Sequence, residues 1–511
     1  MLVLVSPSVT DPDKARVIRA YRSLFYLYYK LEVPFTPEQL DVALEAWKSN
    51  ELELAEFCFP DYYDKDLTDV REILASVNCD ESCFTQIVPR HGPGAVAGGE
   101  DSEGKWASAH YIPTLHRVYP RYDYYFGFRS RGRISSDMCG EILAFVKRSE
   151  VREAVSKLIF VPKDSRGPRT ISCEPKELMF LQQGVARNLM VLYHSLTHGR
   201  INFIDQTVNG SLARTSSLSG EFATVDLKDA SDRVSLKLVD LLFPDWALKY
   251  LHALRSHSTK LPDGTLFERH AKYAPMGSAL CFPIESVVFW SIAVVAGINS
   301  GLTEREARVS TYVYGDDIII RPYVFQEFLR LASKFALKVN VDKSYIEGPF
   351  RESCGVDAWK GYDVTPFRIK KDICGRSLGG PLAAAICEYA STCFGNNYTK
   401  TGNYLHKYVS SVYPGIPVVR HGDLPCLHVV NPLTDLDLKD QVRYGYSLEA
   451  CRCWVTGWVL SDPKKPVTLT GLSRLLRAYY GDWEVHDPSQ VVVPRATKIR
   501  KRKVLVEWGK N

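Results

Sequence analysis

No pair of CxxC units occurs in this 511-residue chain, although it holds 13 cysteines. The two close spacings, Cys79/Cys83 and Cys451/Cys453, do not give the paired-ligand pattern of a structural zinc site. An odd number of scattered thiols fits a large enzyme in a reducing compartment better than a disulfide framework. The glycine-rich stretch HGPGAVAGGEDSEG (91–104) lacks the Lys-Ser/Thr of a P-loop and reads as a flexible break. The opening MLVLVSPSVT has no basic lead and too short an apolar run for a signal peptide. The most apolar stretch, 287–298, falls short of the ~20 residues that span a bilayer and reads as a buried helix, so no membrane partner is expected. A strong excess of either charge is also missing. The 64 Lys+Arg against 59 Asp+Glu leave only +5, too little to prove a polyanionic partner.

What is present is a folding composition, 45% hydrophobic and 12% aromatic, which excludes disorder for most of the chain. The length exceeds what one core serves, so several packed subdomains are expected. Charge is segregated along the chain. Residues 51–103 carry thirteen acids and three bases, 117–133 (RVYPRYDYYFGFRSRGR) carry five Arg and one Asp, and 495–503 are basic again. Such one-sign patches are the footprint of a polyanion binder, or plain solvated faces. The six aromatics among the arginines of 117–133 suit stacking on single-stranded bases, and equally a core segment.

The periodicity predicts helices over 14–30 and 37–48, the second opened by Thr36, Pro37 and Gln39 as N-cap, first-turn proline and capping-box partner. From about 158 onward, strand-length apolar runs alternate with helical stretches. Residues 222–226 read as a strand ending in an acid, followed by a helix over 235–242. Thr303 and Glu306 cap a short helix. Two β-rich runs, 309–314 and 318–320, flank Gly315-Asp316-Asp317, and 324–337 reads as an amphipathic helix. This order predicts an α+β layer with helices packed under a sheet.

Two adjacent carboxylates at a hairpin turn repel each other, and Asn-Gly would make the turn at less electrostatic cost. A divalent cation removes the conflict, and Mg²⁺ suits one or two carboxylates plus substrate phosphates. If the strand ending at Asp226 neighbours this hairpin, Asp226 and Asp316 face each other across a site. Two metal ions ~3.5–4 Å apart could then activate a 3′-hydroxyl and stabilise a leaving pyrophosphate. The other reading is an ordinary Asp-rich turn. Tyr-Gly-Asp-Asp arises by chance in a chain this long with a probability on the order of a few in a thousand.

Tyr314-Gly315-Asp316-Asp317 resembles motif C of viral RNA-dependent RNA polymerases. The stretch from Asp226 to Asp232 (DLKDASD) looks like their motif A, an aspartate followed six residues later by another. Pro275-Met276-Gly277-Ser278 through Glu285-Ser286 is similar to motif B of the replicases (beta subunits) of the levivirus-type small RNA phages. Residues 161–163 (VPK) through Arg169, then Glu174-Pro175, resemble the basic motif F, and 347–355 with 361–367 resemble the segment after motif D and motif E of the same phage group. The resemblance covers about 155–370, with HGPGAV (91–96) a weaker echo. Motif B departs from the common Ser-Gly, Thr, Asn pattern, reading Met276-Gly277, Cys281 and Glu285, and Ser278 stands where phage replicases often have Asn.

The resemblance implies a right-hand polymerase with palm, fingers and thumb and an antiparallel palm sheet backed by helices. It would comprise an N-terminal fingers extension (1–150), the rest of the fingers with motif F (151–221), a palm (222–370) and a thumb with C-terminal region (371–511). It implies RNA synthesis from nucleoside triphosphates on a single-stranded phage RNA template, with two Mg²⁺ ions, replaceable by Mn²⁺, on Asp226, Asp316 and Asp317. Lys163 and Arg169 would clamp the triphosphate, or form a surface basic loop. Lys343 would act as a general acid near the pyrophosphate, or be a surface lysine. Gly277 and Ser278 would border the nucleotide, Gly277 by permitting close backbone approach or merely a turn. Asp232 would accept a hydrogen bond from the ribose 2′-hydroxyl, or cap the next helix. The family further implies the cytoplasm of a bacterial host as location, and host elongation factors Tu and Ts with a host RNA-binding ribosomal protein as partners. Two alternatives stay open at this point: a reverse transcriptase, whose resembling members carry Ala or Met at the position of Gly315, and a non-catalytic RNA-binding assembly protein with a degenerate palm.

Overall fold

The computed structural model describes residues 10–77, 80–101, 104–106, 110–125, 140, 150–268, 270–372, 378–422, 424–461, 464–468, 490–494 and 498–506. The start of the chain, Cys79, residues 126–133 of the basic aromatic stretch and 495–497 of the basic tail lie outside them. The described residues fall into two compact units, one centred on Phe35–Pro366 and one on Phe367–Val467.

In the first unit, helix α1 (Pro37–Glu56) starts on the expected capping box: the Thr36 hydroxyl accepts from Gln39 N, and the Gln39 side chain accepts from Thr36 N. It runs eight residues past the expected end at 48, because Asn50, Glu51 and Leu54 are buried against later parts of the chain. Helix α2 (Lys65–Ser76) buries Leu67, Val70, Ile73 and Leu74. Strands β1 (Val155–Asp164) and β2 (Gly167–Cys173) form a hairpin, followed by α3 (Lys176–Leu196) and α4 (Thr207–Ser219). Next come β3 (Ala223–Val225), α5 (Leu236–Leu242), β4 (Ser258–Lys260), β5 (Leu266–Glu268) and α6 (Cys281–Asn299). Helix α7 (Glu304–Ser310), strands β6 (Tyr312–Tyr314) and β7 (Asp317–Ile320), helix α8 (Phe325–Lys334) and strands β8 (Phe350–Ser353) and β9 (Val356–Trp359) complete the region.

Two sheets position the site. One has the order β2-β1-β4-β5. The other, antiparallel throughout, has the order β3-β7-β6, with Val225 opposite Ile318 and Tyr314 opposite Asp317. Helix α6 packs under the second sheet. By length and composition it could cross a membrane, yet Cys281 and every residue from Pro283 to Gly297 are buried, so it is the core helix of this unit. It is longer than the apolar run 287–298 suggested because the first turn is apolar too.

The mixed α+β layer is as the sequence predicts, with differences at element ends. Val309 and Ser310 finish α7 instead of opening a strand, since an Arg308–Glu304 pair and the Ser310 hydroxyl bonded to Glu306 O hold the last turn. The first helix spans Asp11–Tyr26, earlier than 14–30. The loop expected as a flexible break is pinned: the buried Lys105 ammonium donates to Gly92 O and Gly94 O, at 2.8 and 2.5 Å. The described part of the aromatic stretch is core, with Tyr119, Tyr124 and Tyr125 all buried.

The second unit pairs helices α9 (Gly380–Gly395) and α10 (Thr399–Val412) over a core containing Ile386, Phe394 and Val409. It also holds a three-stranded sheet of β10 (Tyr444–Ser447), β11 (Arg452–Ser461) and β12 (Lys498–Leu505), in that order. The last is an edge strand whose Lys498, Arg500, Lys501, Arg502 and Lys503 are exposed.

Candidate active site

The strand β3 ends at Val225, opposite Ile318, so one more step along the same register sets Asp226 beside Asp317. Gly315 and Asp316 form the two-residue turn between β6 and β7. Gly315 has φ +61°, as mirror-image hairpin turns require, and a Cβ there would lie 2.5 Å from Cε2 of Phe282 on α6. The glycine of the motif is thus fixed by the helix beneath it. Asp316 is exposed at the tip.

The carboxylates crowd one another. Burial raises the Asp226 pKa, opposed by Lys343, whose Nζ stands 3.8 Å from Oδ2, and by Asn340, whose Nδ2 donates to the same oxygen at 2.7 Å. The Asp316 charge raises it further and Lys163 lowers it. Asp317 is pushed up to about 6, first by burial and then by Asp316, while the Ser353 hydroxyl donates to its Oδ1 at 3.1 Å. Glu352 on β8 is pushed up to about 7 by burial, then by Asp317, Asp357 and Asp226. A divalent cation among these oxygens offsets the repulsion, so the donor set fits a hard metal ion. Among the described residues no cluster of three or more His, Cys, Asp and Glu closes into a metal cage. Open positions of that kind suit an ion that keeps waters and takes phosphate oxygens.

Lys163 and Arg169 lie on the β1–β2 hairpin, both exposed. The ladder is irregular between Pro162 and Asp164, which places Lys163 at a bulge, a device that re-aims a side chain. Gly277 has φ +122°, and a Cβ there would sit 2.2 Å from Ser172 O, while Ser172 N donates to Met276 O. The close backbone approach foreseen for Gly277 is therefore to the β2 strand. Gly277 and Ser278 also line a cavity of about 430 Å³ with Pro93, Ile159, Val161 and Ile171.

Asp229 takes a left-handed backbone (φ 51°) and starts the one-turn helix Ala230–Arg233, in which Asp232 Oδ1 stands 3.5 Å from Lys272 Nζ. The cap of α5 is Ser235, whose side chain accepts from Leu238 N at 2.9 Å, so Asp232 is not that cap. Asp232 and Asp316 both raise the pKa of Glu285, a buried acid of α6 whose largest perturbation is burial itself. Sequence reasoning did not single out Asn340, Glu352 or Ser353 as site groups. Glu352 and Ser353 did lie inside the recognised 347–355 string, but nothing local marks Asn340.

The strand order and the Gly-Asp turn thus bring Asp226, Asp316 and Asp317 to one end of the β3-β7-β6 sheet. The family model described as RNA replicase, beta-chain, matches residues 132–377 of this chain. The chain is 39% identical over 235 residues to the RNA-directed RNA polymerase subunit beta of Enterobacteria phage SP, a stretch covering 46% of this chain and 39% of that one. It is 34% identical over 225 residues to the RNA-directed RNA polymerase beta chain of Escherichia phage MS2, covering 44% and 39%. The match thus spans about two fifths of the length of these curated relatives. The solved RNA-dependent RNA polymerase of bacteriophage phi12 is 13% identical with a TM-score of 0.42, over 77% of this chain and 72% of that one. That likeness is distant.

Proposed function

We propose that the chain is an RNA-dependent RNA polymerase that copies single-stranded phage RNA from nucleoside triphosphates. The observation that carries this reading is the register placing Asp226 beside Asp317 at the Gly315-Asp316 turn. Asp226, Asp316 and Asp317 would hold two Mg²⁺ ions, or Mn²⁺ in their place. Such ions lower the pKa of an attacking 3′-hydroxyl and neutralise charge on the leaving pyrophosphate. Lys163 and Arg169 receive the triphosphate, Arg169 with two parallel donors and Lys163 as a point charge whose field already reaches Asp226. Lys343 Nζ, 3.8 Å from Asp226, is placed to deliver a proton to pyrophosphate oxygen. Gly277 and Ser278 border the nucleotide from the cavity side. Asp232 accepts from the ribose 2′-hydroxyl. Gly315 supports an RNA polymerase over a reverse transcriptase, since the Ala or Met of the latter would strike Phe282.

In this reading residues 1–150 and 151–221 are fingers, 222–370 the palm and 371–511 the thumb with the C-terminal region. The family resemblance alone supports host elongation factors Tu and Ts and a host RNA-binding ribosomal protein as partners, and the bacterial cytoplasm as location. The test is incorporation of labelled ribonucleotides on a defined RNA template, with and without Mg²⁺, by wild type and Asp316→Asn. Incorporation that is metal-dependent and lost in the variant supports the function. Equal incorporation by the two proteins overturns it.

A further inference from the structure

Three residues of α1 reach the turn that carries Asp232, although the two segments lie about 180 residues apart. Asn50 Nδ2 donates to Asp229 Oδ2 at 3.3 Å, and Glu53 accepts from Arg233 Nη1 at 2.7 Å. The third, Glu51, works through an intermediary. Its carboxylate is buried and accepts from Ala271 N at 2.7 Å, Lys272 N at 3.2 Å and His270 Nδ1 at 2.7 Å, which fixes the 270–272 backbone. Lys272 is fully buried. Its ammonium donates to Trp47 O at 3.1 Å and lies 4.2 Å from the Trp47 ring centroid. Its remaining charge stands 3.5 Å from Asp232 Oδ1 and 3.9 Å from Glu51 Oε1.

We propose that Lys272 is the positioning residue through which helix α1 sets sugar selection at Asp232. Glu51 is already bonded by three nitrogen donors, so the nearer and less satisfied carboxylate is Asp232. An ammonium has three protons; one goes to Trp47 O and the others face the two acids. A buried lysine is tolerated only when paired, and here the pairing partner is the group assigned to the 2′-hydroxyl. The lysine therefore keeps that carboxylate charged, and so an acceptor, and holds it in place. Without Lys272 the acid would sit among Asp229, Glu51 and Glu285 with no counter-charge, and its acceptor character would fade. This inference rests on the reading of Asp232 as the ribose sensor.

The test compares kcat/KM for ribo- and deoxynucleotides on one primer–template with the full chain, in Lys272→Met, Lys272→Arg, Asp232→Ala and the Asp232→Ala/Lys272→Met double variant. Lys272→Met is expected to narrow the ribo-to-deoxy preference about tenfold, mainly through ribonucleotide use, as coupled charged neighbours do. Lys272→Arg is expected to recover part of the preference. In the Asp232→Ala background the lysine change is expected to leave the ratio where Asp232→Ala puts it. A wild-type ratio in Lys272→Met, or an equal narrowing with and without Asp232, overturns the proposal. Where Lys272→Met does not fold, Glu51→Gln loosens the same lysine, and a wild-type ratio there overturns it too. An unchanged ratio in Asp232→Ala alone would instead defeat the sensor reading on which this one stands.

Discussion

At the scale of single residues, the site separates groups that hold charge from groups that hold shape. Asp316 holds charge. Asp316→Asn is expected to cost ~10²-fold or more in nucleotide addition, as loss of a charge-stabilising group in a preorganised site does, with unchanged circular dichroism. Activity within threefold of wild type would remove the metal-site assignment. Gly315 holds shape. Gly315→Ala meets the Phe282 ring at 2.5 Å and a backbone φ of +61°, so it should destabilise the fold by about 1–3 kcal/mol, read as a lowered urea midpoint. Lys163→Ala and Arg169→Ala should raise the apparent KM for nucleoside triphosphates more than they weaken RNA binding. If only RNA affinity and its salt slope change, both residues contact the template instead.

At the scale of elements, α2 is tied to α8 by ion pairs that make a pH signature. Asp66 is hydrogen-bonded first to Arg330 and also to Lys334, and its pKa is lowered to about 2. A carboxylate lowered from an unfolded value of about 3.9 stabilises the fold above that pH and loses the effect as pH falls toward about 2. Asp66→Asn should therefore cost about 1 kcal/mol near neutral pH, with the gap to wild type closing below about pH 4 in urea titrations. A gap independent of pH would show that the pair has no such role. The elements around the three aspartates were readable because each announces itself locally: an acid after 222–225, a capping box at Thr303–Glu306, a Gly-Asp turn between apolar runs. What surrounds them was not. Asn340 reaches Asp226, and Glu51 reaches Lys272, across 114 and 221 residues. No window of sequence records such partners. Glu51 stood in the acidic run 51–103, and nothing local marked Lys272. Only tertiary packing turns them into a buried network.

At the scale of the whole molecule, the chain has a mixed α+β unit carrying the three aspartates and a second unit with its own helical core and a basic edge strand. If host factors take part in synthesis, adding bacterial lysate to the purified chain should raise extension on defined RNA well above the level of the chain alone. Full activity of the lone chain would count against the partners proposed above. The clasp between α1 and the 270–272 backbone also sets an order of events during synthesis. Glu51 leaves the ribosome long before Lys272, 221 residues later. At about 5–20 residues per second that interval is on the order of 10–40 s. Through much of it, α1 carries Trp47, whose later partners are Leu158, midway through the interval, and Leu261 and Phe267, near its end. Helix α1 is thus made first and completed last: its apolar face and its buried acid stay without their full set of partners until the 270–272 backbone follows.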